Sequence, residues 1–532
     1  MELPNFIKQK TRFRSTKIIG ISMLIGVVAG LFCVLYRFML TYAEELCFSI
    51  YNFMSENMKY SPLLFICLAV TGYLIGRLVE NFSLISGSGI PQVKAIIMGQ
   101  IRGSWLSTLL AKLIGGTVSI ISGLSLGREG PSIQLGACVG QGISQKFATS
   151  QTERRIYVAS GASAGLAAAF NAPLSGMMFA IEELFRYFSP MILLSTMVAA
   201  ISADFVSKLF FGITNVFHFE ITQSIPIEFY WIFIVLGVTL GFSGVIYNIC
   251  LIKSQKIYKS MSKLPVRIRM MIPFLCAGIL GLTFPVVLCG GHSIIDDLHI
   301  TTSLTFLILA LIIKFFFSMI SFGSGAPGGI FFPLLVLGAT IGAIFAKIII
   351  PITPLNEVLF YNFVIIAMAG YFTAIVRAPL TGIILLVEMT GSLSQLLPLI
   401  ITSAVAYIVA EELQNKPVYE SLLENLLESR GLHAPPVDSS KILIEYIVQH
   451  GSLIENQAIV TLKLPENCLI VSIKRNEHDI TPNGSTIIKA GDLLTVLSSV
   501  STEQDVREYL SKTCNEAIHN HHHFKTHFKH HK

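Results

Sequence analysis

The chain has 532 residues, of which 53% are hydrophobic and 13% charged, and its formal net charge is +6. Soluble domains carry about 25% charged residues, so this composition, with a mean hydropathy of +0.67, excludes an ordinary soluble domain and implies an integral membrane protein. The positive charge is spread over separate stretches and not gathered in one patch, which argues against a nucleic-acid partner.

Residues 1–17 carry Lys8, Lys10, Arg12, Arg14 and Lys17 and are read as a basic cytoplasmic tail, because basic segments beside membrane spans mark the cytoplasmic side. From there to about Glu411 the sequence is a series of apolar runs. Those at 18–40, 62–79, 228–252, 304–320 and 396–410 are near the roughly 20 residues that cross a bilayer as a helix. Others, at 105–126, 132–143, 156–170, 329–350 and 364–375, are broken by Gly and Pro. Broken helices at membrane depth occur where the backbone is buried in protein or lines a cavity, as in transporter binding sites.

The segment NAPLSGMMFAIEE (171–183) matches RAPLTGIILLVEM (377–389). Each has Ala-Pro-Leu, a hydroxyl residue, Gly, five apolar residues and Glu, and each follows a glycine-rich breaker. We read two homologous units, about 18–212 and 226–412. The first span leaves the basic N-terminus, whereas 228–252 ends at the basic stretch 253–269. The units therefore start on opposite sides, as an inverted repeat does, with a site expected at their interface.

An amphipathic exit helix is expected within 415–431, then a linker at 432–440 containing Pro435 and Pro436. Strands are expected at 457–464, 468–476 and 485–500, the last with a Gly491-Asp492 turn, and a helix at 503–512. These make a small cytoplasmic α+β domain at 441–513. The His-rich tail, 514–532, reads as metal-binding, as an appended remnant, or as inert. The nine cysteines form no CxxC pair and read as small buried hydrophobes.

Four segments are unusual for a membrane interior: SGSGIP (86–91), GREGP (127–131), GSGAPGGIFFP (323–333) and KPVY (416–419). In three of them glycines precede a helical run, and a helix start offers free N–H groups and partial positive charge to an anion. The alternatives are glycines that only allow close helix packing, and a phosphate loop, which lacks its GxxxxGK[ST] pattern here.

These four motifs, in this order and with the NAPL-type repeat, resemble the CLC family of chloride channels and proton-coupled chloride exchangers. The resemblance covers about residues 15–425. It implies an all-α polytopic membrane fold, a CLC-type inverted repeat of broken helices, assembled as a homodimer in the lipid bilayer. By resemblance, Ser88 and Tyr419 offer hydroxyls to a central chloride and the N–H groups of Ile330 and Phe331 complete that site. Those of Arg128, Glu129 and Gly130, with Ile330, Phe331 and Phe332, surround an outer one. Glu129 is the expected gate, occupying an anion position when ionised. An Arg128–Glu129 salt bridge is the competing reading, disfavoured because sequence neighbours seldom face each other in a helix. Glu183 is the expected proton relay, with a solvated helix end as its alternative. Gln92 and Lys94 depart from the pattern of many relatives, and Lys94 and Lys112 are expected to influence Glu183 if they lie close.

The C-terminal domain resembles the RCK C-terminal (TrkA-C) module of potassium transport systems, on ENCLIVSIKRN and IKAGDLLTV. It implies either a small ligand that biases transport or an assembly role. The reading is thus a proton-coupled chloride antiporter with both termini cytoplasmic, expected in a bacterial inner membrane. It is not an enzyme, and no cofactor or metal is expected beyond chloride as substrate. A passive chloride channel of the same fold is the first alternative and a cation transporter the distant one. His292, in GGHSI, is read as structural.

Overall fold

The computed structural model describes residues 5–432 except 214–215, 218 and 220–222, and residues 441–515 except 466–467, 477 and 500–501. The side chains of residues 5–14, most of the expected linker and the His-rich tail from 516 lie outside the described residues. The chain divides into two units, Met1–Leu432 and His433–Lys532.

In the first unit the helices run α1 (Asn5–Glu56), α2 (Ser61–Asn81), α3 (Ile90–Ile97), α4 (Trp105–Ile121), α5 (Glu129–Phe147), α6 (Gln151–Phe170), α7 (Pro173–Phe179) and α8 (Pro190–Phe211). A π-helical turn, Ala180–Phe185, extends α7. The order repeats as α9 (Trp231–Ser260), α10 (Val266–Arg269), α11 (Met271–Thr283), α12 (His292–Asp296), α13 (Leu304–Gly323), α14 (Phe331–Ile349), α15 (Phe360–Val376), α16 (Pro379–Thr390) and α17 (Leu396–Glu412). The exit helix α18 is Val418–Glu428, shorter than the 415–431 stretch because Pro417 sets its start.

Among the described residues, eight helices are long and apolar enough to cross a membrane. The expected span 18–40 belongs to a longer rod. α1 has 52 residues, about 78 Å at 1.5 Å per residue, because no Gly-Pro breaker interrupts it before Glu56.

The repeat is visible in the hydrogen bonds. Gly127 and Gly329, equivalent residues, form an isolated antiparallel bridge with N···O distances of 2.7 and 2.8 Å. Equivalent strands that pair antiparallel are related by a local two-fold, as inversion requires. Two fully buried lysines repeat the relation. Lys112 of α4 donates to the carbonyls of Ile85 and Gly87 at 2.8 and 2.5 Å. Lys314 of α13 donates to those of Val287 and Cys289 at 2.9 and 2.8 Å.

The glutamates that end the two NAPL-type segments exchange caps. Glu182 accepts from Leu380 N–H at 3.1 Å, and from Thr381 N–H and Oγ1 at 2.7 Å each, at the start of α16. Glu388 accepts from Leu174 N–H at 2.9 Å, Ser175 N–H at 2.8 Å and Ser175 Oγ at 2.7 Å, at the start of α7. Free N–H groups at helix starts are costly at membrane depth, and each half satisfies those of the other.

α6 and α15, also equivalent, are buried along almost their whole length. α5 packs on α6 through Gly136 and Gly140 against Gly161 and Gly165, where an added Cβ would strike the facing backbone. For these glycines the close-packing reading is the right one.

The second unit is a four-stranded antiparallel sheet with a closing helix. Its strands are β1 (Lys441–Ile447), β2 (Leu469–Arg475), β3 (His478–Ile480) and β4 (Leu493–Ser499), in the order β1-β4-β2-β3, followed by α19 (Glu503–Asn515). The expected strand at 457–464 is absent. Residues Ile459–Thr461 form a 3-10 turn, and Ala458 makes only a single bridge to Ile487. β1, which the pattern reading passed over, is the edge partner of β4, with Lys441 opposite Ser499. The strand expected over 485–500 begins only at Leu493, after Gly491 turns the chain with φ 83°.

Burial would raise the carboxyl of Asp492. The two bonds from Arg475, at 2.7 Å each, and one from Lys489 N–H hold it below the usual range instead. This interaction is fully present above the unfolded pKa near 4 and is lost as pH falls through the lower folded value. Amide exchange around β4 is expected to accelerate in that acidic window, and Arg475→Ala to remove the dependence.

Glu388→Ala leaves two helix N–H groups unsatisfied and is expected to cost about 1–3 kcal/mol. Glu182→Ala should cost a similar free energy, read as a lowered thermal midpoint.

Candidate functional site

Three helices start at one place. α3 begins behind Gly89, which takes φ 91°. α5 begins at Glu129 and α14 at Phe331, with Arg128 and Ile330 as their flanking caps. The Gly127–Gly329 bridge holds the last two starts together. Gly87 N–H donates to Gly325 O at 3.3 Å and Gly328 N–H to Gly87 O at 3.1 Å, which brings in the α3 turn. Gly130 closes the approach, since a Cβ there would lie 2.9 Å from both Cβ and O of Ser88. Converging helix starts favour an anion without placing a full positive charge beside it.

The structure thus brings Ser88, Arg128, Glu129, Gly130, Ile330, Phe331 and Phe332 to one buried locus. Ser88 Oγ accepts from Ile90 N–H at 3.3 Å. The Phe331 ring packs between Phe170 and Phe372, with centroids at 5.3 and 4.6 Å. Tyr419, at the start of α18, comes in through the packing of α18 on α3. It is fully buried, and its hydroxyl has no hydrogen-bond partner among the described residues.

Glu129 is fully buried, and among the described residues neither carboxylate oxygen has a hydrogen bond of good geometry, though the N–H groups of Glu129 and Phe332 lie close by. It folds back over Gly127, where a Cβ would come within 2.5 Å of Oε2. Arg128 does approach it, with Nε 3.7 Å from Oε1. This corrects the expectation that sequence neighbours stay apart: Arg128 caps α5 and lies outside the helix, so helical spacing does not govern the pair. At 3.7 Å the contact is electrostatic and is not itself a hydrogen bond.

Pockets approach this locus from two directions. One, of about 540 Å³, reaches Ser88 and carries Lys259, Arg269 and Arg430 on its walls, against a single carboxylate among the described residues, Glu80. The other, of about 20 Å³, ends on Arg128 and Glu129. Glu44 and His292 share the smaller pocket, with Nδ1 of His292 3.4 Å from Oε1 of Glu44. The imidazole also stacks on Phe332 at 4.0 Å. His292 therefore stands in the approach to Glu129, where sequence reasoning gave it only a structural role. The available signal was its glycine break, which Lys314 marks as the counterpart of the Ser88 turn.

Glu183 lies apart, in the π-helical turn after α7. It is 1% exposed, and its Oε1 receives Lys94 Nζ of α3 at 2.7 Å. Lys94 is the close partner that the sequence raised conditionally. Lys112 instead holds the carbonyls of the Ser88 turn.

Residues 67–411 match a family model described as voltage gated chloride channel, and residues 443–511 match one described as TrkA-C domain. The proton/chloride exchange transporter ClcA of Vibrio parahaemolyticus is 37% identical over 377 residues, which cover 69% of this chain and 79% of that protein. The ClcA transporter of Vibrio vulnificus is 36% identical over 433 residues, covering 78% and 91%. Among solved structures, a slow cyanobacterial chloride/proton antiporter superposes with a TM-score of 0.73 at 28% identity, over 78% of this chain and 99% of that one. A CLC-type fluoride/proton antiporter shares the fold, with a TM-score of 0.64 at 22% identity over 77% and 98%.

The Lys94–Glu183 pair is a buried ion pair, so removing one partner strands the other. Lys94→Ala is expected to cost about 3–5 kcal/mol. The double change Lys94→Met/Glu183→Gln, measured by thermal unfolding in micelles, should recover most of the loss.

Proposed function

The chain belongs to the voltage-gated chloride channel family, and on that premise we propose that it is a proton-coupled chloride antiporter. The observation that carries this reading is the presence of two buried glutamates: Glu129, held at the joined helix starts by no more than a 3.7 Å contact to Arg128, and Glu183, some fifty residues on in the chain. A passive channel needs only the first. Relatives named as proton/chloride exchange transporters support the exchanger over the channel and over the cation transporter.

Chloride is the substrate. It enters from the large vestibule and reaches Ser88 and Tyr419, whose hydroxyls, with the N–H groups of Ile330 and Phe331, hold it centrally. The outer position is bounded by the N–H groups at Arg128, Glu129, Gly130 and Phe332. Glu129 competes for it, because an ionised carboxylate is itself an anion suited to helix starts. Protonation removes that attraction and releases the side chain, so proton binding and chloride occupancy are linked. Glu183 passes protons to Glu129 from the face that carries the large vestibule, and it must leave Lys94 to do so.

The membrane is the bacterial inner membrane, and the basic segments put both termini and the large vestibule on the cytoplasmic side. The protein works as a homodimer with one pathway per subunit. The TrkA-C domain reads a small ligand or stabilises the assembly.

Proteoliposomes with an imposed chloride gradient test the reading. The native chain should move protons against their gradient. Glu183→Gln should abolish proton movement while chloride flux persists, and Glu129→Gln should leave chloride flux without coupling. Chloride gradients that drive no protons through the native chain would establish the channel instead. Ser88→Ala with Tyr419→Phe should weaken chloride binding about tenfold, or about 1.4 kcal/mol, by calorimetry.

A further inference from the structure

Away from the transport pathway, a cavity of about 490 Å³ opens among the end of α5, the start of α6 and the turn after α3. Three arginines line it, Arg102, Arg154 and Arg155, together with the amides of Gln141, Gln145 and Gln151. Among the described residues, no carboxylate lines it. Glu153, the acidic residue beside two of the arginines in sequence, is turned to its own loop, accepting from Thr149 N–H and Oγ1 at 2.8 Å each. Gln141 Nε2 braces the wall by donating to Gly103 O at 2.9 Å. The Arg155 guanidinium lies over Gly99, 3.7 Å from where a Cβ would sit.

Scattered arginines on this face would satisfy membrane topology alone. Convergence of three solvent-exposed arginines on one cavity, with no counter-charge among the described residues, goes further, since an anion with several oxygens entering it meets all three. Guanidinium groups bind phosphate bidentately, and the volume suits a small ligand or headgroup and is far larger than one chloride needs. We propose that this cavity is a binding site for a phosphate-bearing anion. Its source is either a phospholipid headgroup or a soluble phosphorylated molecule. Lys17 Nζ donates to Phe147 O at 3.3 Å, which places the site at the membrane face where α1 begins. The cavity also takes in Ile96 and the turn that follows α3, the helix carrying Lys94 and preceded by Ser88. Occupancy therefore bears on the position of α3.

The test uses the full chain in micelles and reads binding, not transport, so its failure is separable from failure of the antiporter reading. Labelled pyrophosphate is followed by equilibrium dialysis. In parallel, the thermal midpoint is measured with added phosphatidylglycerol and with phosphatidylcholine. Arg154→Gln/Arg155→Gln is compared with native protein and with Arg154→Lys/Arg155→Lys, which keeps charge but loses the planar fork. Saturable pyrophosphate binding that weakens at least about tenfold in the Gln variant, and partly in the Lys variant, establishes a soluble source. A rise in midpoint with phosphatidylglycerol only, lost in the Gln variant, establishes the headgroup. If neither probe distinguishes native protein from the Gln variant, the proposal is overturned.

Discussion

Two peptide hydrogen bonds between Gly127 and Gly329 hold the centre of the membrane unit together. They join equivalent points of the two halves, and on each side a helix starts immediately afterwards. Everything that distinguishes the site follows from that junction. α5 and α14 point their free N–H groups into one space, Ser88 is drawn in through Gly130, and Glu129 emerges beside its own helix start. A side chain at Gly127 would displace both Glu129 and Pro333, so the residue is as restricted sterically as it is in hydrogen bonding.

The wider architecture answers one problem repeatedly: peptide groups exposed by broken helices have no water to satisfy them. The two halves solve it in the same way. Lys112 and Lys314 take up carbonyls of the turns before α3 and α12, and Glu182 and Glu388 take up N–H groups of α16 and α7. Those glutamates cross from one half to the other, so the caps also bind the halves together. The lysine and glutamate charges are spent on structural carbonyls and N–H groups, while the candidate anion locus is left with peptide dipoles and one guanidinium, that of Arg128. That division suits a site from which an ion must also depart.

Against this background the two candidate glutamates contrast. Glu183 has a lysine at 2.7 Å, whereas Glu129 has, among the described residues, no hydrogen bond of good geometry and an arginine at 3.7 Å. A buried group held only by a long electrostatic contact is poised to move, and one with a strong partner must first be released. The antiporter reading needs both behaviours.

The four glycine-rich or tyrosine motifs and the duplicated NAPL segments were enough to reveal the fold, the inversion and the residues at the joined helix starts. They were legible because backbone needs at membrane depth restrict residue type locally: Gly where chains touch, Pro at helix starts, Glu where a cap is required. Partners chosen across distant parts of the chain were not legible. The sequence contained Glu182 and Glu388 as a repeat but could not say that each caps the other's helix. It offered Lys94 and Lys112 alike for Glu183, and only packing of α3 against the π-helical turn decided for Lys94. His292 beside Glu44 likewise arises from elements far apart in the chain, and the arginine-lined cavity forms only when α3, α5 and α6 pack. In the small sheet, β1 and the 3-10 turn at 459–461 were set by pairing and not by alternation. Local stereochemistry is written residue by residue, whereas which charge meets which is decided when the helices pack.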